Sequence, residues 1–189
     1  MSMKHLGTVE LETKRLVLRR FSLDDAQAMY DNWASDPEVT RYLTWPTHQS
    51  AADSKAILED WVLRYCEANY YHWAIVPKDN DDQPIGSIAV VAHDDQVEKA
   101  TVGYCIGRSW WHQGFTSEAL QAVIDYLLDE VGMRRVDAYH DSRNPHSGNV
   151  MKKCGMTYEG TLRASDRNNQ GICDACWYSI LSEETQKAV

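Results

Sequence analysis

Apolar positions along the chain change spacing several times, and each change marks an element. The sharpest change lies between residues 100 and 131. Residues 100–106 (A-T-V-G-Y-C-I) read as an apolar strand that stops at Gly107. After a loop carrying Gly114, the apolar residues Leu120, Val123, Ile124, Leu127, Leu128 and Val131 recur at three- and four-residue steps. That spacing makes one helical stripe, so a helix is expected from Thr116 or Ser117 to the stop at Gly132.

The same reading extends to both sides. Residues 16–21 (L-V-L-R-R-F) form a strand, and Ser22 caps a helix with Asp24 and Asp25 in its first turn. Ala26, Met29, Tyr30 and Trp33 give that helix its apolar face, and Asp36-Pro37 breaks it. Residues 39–48 are irregular and aromatic. A second amphipathic helix spans 51–68, with Ile57, Leu58, Trp61, Val62 and Tyr65 on one side. Strands follow at 71–76 and 84–91, joined by a polar turn. Beyond the central helix come a strand at 135–140 and a helix opened by Asn144-Pro145 and closed by Gly155. Strands at 156–162 and 172–181 then flank a turn at 168–171. The order β-α-α-β-β-β-α-β-α-β-β is that of an α/β (α+β) fold, a mixed sheet with helices on its faces.

Composition narrows this little. At 189 residues the chain is expected to be one domain, 1–189, with 43% apolar residues to fill a core. No apolar run is long enough to span a membrane, and residues 1–10 carry no signal-peptide pattern, so a cytoplasmic location is expected. The net charge of −9 argues against a nucleic-acid partner and mildly favours cationic substrates. Five cysteines, odd in number and scattered, read as reduced thiols. Cys173 and Cys176 are a lone C-x-x-C in a strand, where the odd offset puts them on opposite faces, so no metal is expected. Seven tryptophans and ten tyrosines suit a homodimer interface as well as a core.

A strand, a glycine-bearing loop and a helix N-terminus together can bind phosphate, because loop N–H groups and the helix dipole favour negative charge. Gly114-Phe115-Thr116 lacks the lysine of a nucleotide P-loop, and Gly107 and Gly114 do not give the three-glycine dinucleotide spacing.

The stretch Y-C-I-G-R-S-W-W-H-Q-G-F-T-S-E-A (104–119) resembles the acetyl-CoA pyrophosphate loop of GNAT N-acetyltransferases, closest to the RimJ/RimL-like, ribosomal-protein N-terminal acetyltransferase branch. R-N-P-H-S-G-N-V-M-K-K-C-G-M-T-Y-E-G (143–160) is similar to that branch's second motif, and the opening L-E-T-K-R-L-V-L-R-R-F also fits. His112 stands where the branch usually has glycine, and Thr116 where it has alanine or glycine.

The resemblance implies a GNAT fold, acetyl-CoA as co-substrate without a metal, and an amine acceptor such as a ribosomal protein N-terminus or a small amine. It implies that Cys105, Ile106 and Arg108 border the pantetheine arm. Trp111, His112, Gln113, Gly114, Phe115, Thr116 and Ser117 would hold the pyrophosphate through backbone N–H groups. Lys152 would reach a phosphate. Ser147 would offer its hydroxyl to the sulfur, and Asn144 would bond the pantetheine, though both could simply cap their helix. Glu118, a carboxylate in the phosphate loop, is expected to turn back as a cap for its own helix. Tyr42 and Trp45 would wall the acceptor cleft or else cover the core. Glu159 is the candidate general base, with Asp166, His112 and His140 as alternatives. The competing function is a non-catalytic acyl-CoA-binding or regulatory module, kept open by His112 and Thr116.

Overall fold

A computed structural model describes residues 3–185 of the chain. Eight strands form one sheet in the order β1-β2-β3-β4-β5-β6-β8-β7. The strands are β1 (Leu11–Glu12), β2 (Leu16–Arg19), β3 (His72–Pro77), β4 (Gly86–Asp94), β5 (Lys99–Ile106), β6 (Arg135–Asp141), β7 (Thr157–Asn168) and β8 (Gly171–Leu181). Every pairing is antiparallel except β5 with β6. The helices are α1 (Ala26–Met29), α2 (Pro37–Thr40), α3 (Ala51–Arg64), α4 (Phe115–Asp125), α5 (Pro145–Lys153) and the short α6 (Ser182–Thr185). No helix among the described residues is long and apolar enough to cross a membrane.

The strands sort their side chains onto two cores. On one face α4 and α5 cover the larger cluster, with Leu120, Val123 and Ile124 fully buried against Leu18, Ile88, Ala100 and Val136. On the other, α1 to α3 press Met29, Trp33 and Leu58 onto Phe21, Ala74 and Val76. β3 lies between the two and is buried throughout, as a strand covered on both faces must be.

Several boundaries differ from the expectation. The second helix stops at Arg64 rather than residue 68. Its last apolar anchor, Tyr65, donates to the His72 carbonyl at 2.9 Å and accepts the Phe21 N–H at 2.9 Å, which holds the helix end against the sheet. Ile57, expected on the buried face, is exposed. The strand expected at 156–162 runs on to Asn168, with register shifts between Tyr158 and Gly160 and between Leu162 and Asp166. That strand is exposed on both faces over most of its length, so no hydrophobic alternation marked it. Asp36-Pro37 breaks one helix and starts another. Asp36 accepts the Glu38 N–H at 2.9 Å, with Pro37 at the first position of α2.

Candidate active site

β5 and β6 pair only at Lys99↔Arg135, Ala100↔Val136 and Thr101↔Asp137, and no pairing continues beyond these. The Gly107 N–H bonds the Ile85 carbonyl at 2.8 Å, across toward β4. Alternation along β5 then turns the backbone groups of Tyr104 and Ile106 to the other edge, into the opening beside β6. The Ile106 carbonyl is met there by the Trp111 indole N–H at 2.9 Å. Cys105 faces the opposite way, with Sγ 3.6 Å from the Ser87 hydroxyl, and burial raises its thiol pKa.

The loop after β5 is shaped by left-handed residues. Gly114 has φ +81° as N-cap of α4, and His112 has φ +62°. The left-handed conformation gives a physical reason for a glycine at position 112. Among the described residues, the backbone N–H groups of 112–117 meet no protein acceptor, whereas the Glu118 N–H closes the first helical turn on the Gly114 carbonyl at 3.1 Å. Consecutive free donors at the N-terminus of an eleven-residue helix suit a diphosphate.

The loop's side chains largely hold the loop itself. Gln113 Nε2 donates to the Ser109 carbonyl at 2.8 Å, and Ser117 Oγ to the Gly114 carbonyl at 3.0 Å. Arg108 pairs with Asp36 at 2.9 Å, and the Phe115 ring lies 4.3 Å beneath the Arg15 guanidinium. Thr116 is half-buried, and His112 contacts the His146 ring edge-on at 5.3 Å.

Glu118 corrects an expectation, since it does not cap its own helix. Its carboxylate accepts from Thr13 Oγ1 at 2.6 Å, from the Arg15 N–H at 2.8 Å and from Arg15 Nε at 2.7 Å. Desolvation opposes its charge, but these donors together hold its pKa below the usual carboxylate value. Arg15 also donates to the Gln113 carbonyl at 3.0 Å, so the β1–β2 turn neutralises Glu118 and braces the loop.

Opposite the loop, α5 begins at the C-terminal end of β6. Asn144 occupies its N-cap, but its side chain makes no capping bond, so the amide is free of the capping role. Ser147 does not cap either. Its hydroxyl donates to the Tyr104 hydroxyl at 3.1 Å, and Tyr104 in turn donates to the Ser147 carbonyl at 2.9 Å. Burial raises the Tyr104 pKa, which keeps the phenol protonated. The motif resemblance assigns no role to Tyr104. Its place two residues from both Val102 and Ile106 on one strand was the available signal. Gly148 lets α5 approach β6 closely, since a Cβ there would lie 2.5 Å from His140 Nε2. Lys152 is exposed in the last turn of α5, and Cys154 Sγ just beyond it meets the Ser117 carbonyl at 3.2 Å.

Two base candidates are tied up. Glu159 is clamped by Arg135 at 2.7 and 2.6 Å and accepts from Ser179 Oγ at 2.6 Å, beside the paired end of β5 and β6. Arg135 above all holds its pKa at about 2, so it is a poor proton acceptor and lies away from the opening. His140 is buried, with Nδ1 2.8 Å from the Asp141 carbonyl and a pKa lowered by desolvation. On the acceptor side, Tyr42 donates to the Arg143 carbonyl at 3.3 Å, at the mouth of the opening. Trp45 instead packs on the smaller core, 5.2 Å from His48, which is the core-cover role. Asn169, at the β7–β8 tip, donates to the Thr40 and Trp45 carbonyls at 2.8 and 2.7 Å and pins this segment.

A sheet that opens between two parallel strands, with a donor-rich loop on one lip and a hydroxyl pair joining β5 to α5 across the gap, defines an acyl-transfer enzyme of the GNAT type. The acetyltransferase (GNAT) domain profile matches residues 15–157. The chain belongs to the GNAT acetyltransferase family, and it is an N-acetyltransferase of ribosomal-protein acetyltransferase-like type. It is 31% identical over 171 residues to YoaA of Bacillus subtilis (strain 168), a protein named only as an N-acetyltransferase, covering 90% of this chain and 96% of that one. It is 28% identical over 140 residues to the ribosomal-protein-serine acetyltransferase of Escherichia coli (strain K12), covering 74% and 76% of the two chains. A solved RimL structure, the ribosomal L7/L12 α-N-protein acetyltransferase in complex with coenzyme A, superposes with TM-score 0.80 at 19% identity, covering 92% and 98%.

Proposed function

We propose that the enzyme transfers acetyl from acetyl-CoA to a primary amine, either a protein N-terminal α-amine or a small amine. The observation that carries this reading is the Tyr104–Ser147 hydroxyl pair, placed across the open end of the β5–β6 seam beside the unpaired loop donors. The N–H groups of 112–117 bind the diphosphate, and Asn144 bonds the pantetheine. The backbone N–H of Tyr104 or Ile106 donates to the thioester oxygen as it gains negative charge. Lys152 offers charge to a phosphate.

In the reaction a nitrogen–carbon bond forms, the carbon–sulfur bond breaks, and one proton passes in net terms from nitrogen to sulfur. The Ser147 and Tyr104 hydroxyls turn from their resting partners, the Tyr104 oxygen and the Ser147 carbonyl, to donate hydrogen bonds to the sulfur as it departs, and the thiol gains the proton that the amine has shed. An α-amine with a reference pKa of about 7.7–8.0 needs little help to lose its proton at neutral pH, consistent with no single dedicated base. Tyr42 borders the acceptor. The ribosomal-protein-serine acetyltransferase relative supports a protein N-terminus, and the acidic net charge of −9 favours a cationic acceptor.

The test is acetyl-CoA-dependent thiol release with short peptides beginning Ser or Ala, spermidine, an aminoglycoside and lysine. Amine-dependent release with one of these is the expected outcome. CoA binding without release for any amine would favour a non-catalytic acyl-CoA-binding module, and no CoA binding at all would remove the reading.

A further inference from the structure

At the end of the sheet away from the acetyl-transfer opening, two imidazoles and a carboxylate converge from distant parts of the chain. His5 Nε2 lies 3.1 Å from Asp95 Oδ1, across 90 residues of sequence. His93 Nδ1 lies 2.8 Å from the same oxygen, and the two rings are 5.0 Å apart, edge to face. All three potential ligand atoms lie within 4.8 Å of one another. We propose that His5, His93 and Asp95 bind a divalent transition-metal ion of the Zn²⁺ class, tying the N-terminal segment to the β4–β5 turn.

The geometry fits such an ion. Zinc–nitrogen and zinc–oxygen bonds of about 2.0–2.2 Å put tetrahedral ligand atoms roughly 3.3 Å apart, so small rotations of these side chains suffice. Imidazole and carboxylate together suit zinc, nickel or copper rather than calcium or magnesium. The His5 ring is held from behind as metal-ligating histidines are, because its Nδ1 lies 2.8 Å from the hydroxyl of buried Tyr71. With Nδ1 as donor to that hydroxyl, Nε2 is left as a lone-pair ligand. The Leu6 N–H, 3.3 Å from the same oxygen, fixes the hydroxyl further. The His5, His93 and Asp95 side chains are 16%, 27% and 52% exposed, so the ion would be reached from solvent on the Asp95 side, where water completes its shell. Its role is structural, since the site lies where β4 ends and β5 begins, not where β5 meets the loop.

The experiment uses the full chain stripped with EDTA and then given Zn²⁺ or Co²⁺ alone. One ion per chain is expected by calorimetry, with Tm raised by roughly 5–10 °C at about a hundredfold excess over Kd. The Co²⁺ spectrum should lack a thiolate charge-transfer band. His93→Ala and the near-isosteric Asp95→Asn should each abolish stoichiometric binding and the Tm shift. Both should keep the metal-free Tm, and both should acetylate at the wild-type rate. A thiolate band would place the ion on a cysteine, and binding that survives in both variants would place it away from His93 and Asp95; either result would overturn the assignment. Failure of Zn²⁺ to bind or to move Tm in the wild type would overturn it as well, without touching the acetyltransferase reading.

Discussion

The two ends of the β5–β6 seam are built from the same pair of strands and do opposite work. At the paired end, Asp137 is 2% exposed between Arg135 at 3.1 Å and Lys99 at 3.9 Å, and Arg135 also clamps Glu159. At the open end the ion pairs stand around the rim: Arg15 with Glu118 and Arg108 with Asp36 brace the loop, and Arg143 with Asp141 holds the end of β6. There are backbone donors without protein acceptors, a left-handed glycine, and two hydroxyls bonded to each other. Perturbed ionisable groups sit at both ends: Arg135 holds the Glu159 carboxyl low at the paired end, while at the open end burial raises the Tyr104 phenol and Arg143 holds the Asp141 carboxyl low. Shifted pKa values mark functional sites only when the groups are also free to meet a substrate, and Arg135 and Glu159 are not.

Removing a hydroxyl at the open end is the strongest way to sharpen this contrast. Tyr104→Phe should lower kcat about 100-fold, at the lower end of acid–base contributions, and Ser147→Ala about 10-fold, with acetyl-CoA affinity nearly unchanged. Because the two act as one bonded pair, the double variant should be little worse than Tyr104→Phe alone. Steady-state kinetics with CoA binding by calorimetry checks both. Equal loss of kcat and affinity would make the pair structural, like the charges at the other end.

The opening also depends on how closely α5 packs. Gly148→Ala places a methyl 2.5 Å from His140 Nε2, so α5 or the ring must shift. A loss of about 1–3 kcal/mol is expected from overpacking, lowering Tm by roughly 2–4 °C for each kcal/mol in a chain of this size. His140→Ala in the same chain should recover part of it. A strictly additive double variant would mean that this contact does not set the helix position.

At the paired end the expected effect is smaller and concerns stability alone. Glu159 has a folded pKa of about 2 against an unfolded value near 4.3, so its contribution is present above about pH 4.3 and is lost as pH falls toward 2. The side chain is 42% exposed, and solvent screening limits the contribution to about 1 kcal/mol. Glu159→Gln should therefore cost about that much in urea unfolding at pH 7, with the gap narrowing below pH 4, and should leave turnover alone. A large fall in kcat would restore Glu159 to the reaction.

Periodicity alone gave the order of the main elements, because α4, β3 and β5 are buried and their apolar spacing is a direct consequence of that burial. It missed β1, which is two residues long, and the outer half of β7, which is exposed. In the loop, the motif resemblance pointed to residues 111–117, of which 112–117 hold N–H groups unpaired among the described residues, whereas the Trp111 N–H is spent on the Arg108 carbonyl at 3.2 Å. The partner of Glu118 was not legible, since Thr13 and Arg15 come from a turn more than a hundred residues earlier. Tyr104 and Ser147 stand 43 residues apart, and only the close approach of α5 to β5 joins them. The His5–His93–Asp95 group is hidden for the same reason.

His112 supplies the smallest and most exacting test. Its φ of +62° is unfavourable for a residue with a side chain, by about 1–2 kcal/mol, and glycine removes that cost. Glycine also gives the unfolded chain more freedom, which returns about 0.5–1 kcal/mol, and the edge contact with His146 is lost. His112→Gly should therefore stabilise the protein by only about 0.5 kcal/mol, a Tm rise of roughly 1–2 °C. Because the loop presents backbone rather than side-chain donors, KM for acetyl-CoA should stay within about twofold of the wild type. A stabilised variant with much weaker acetyl-CoA binding would show that the imidazole itself touches the cofactor. The open end would then rely on a side chain where its geometry offers the main chain.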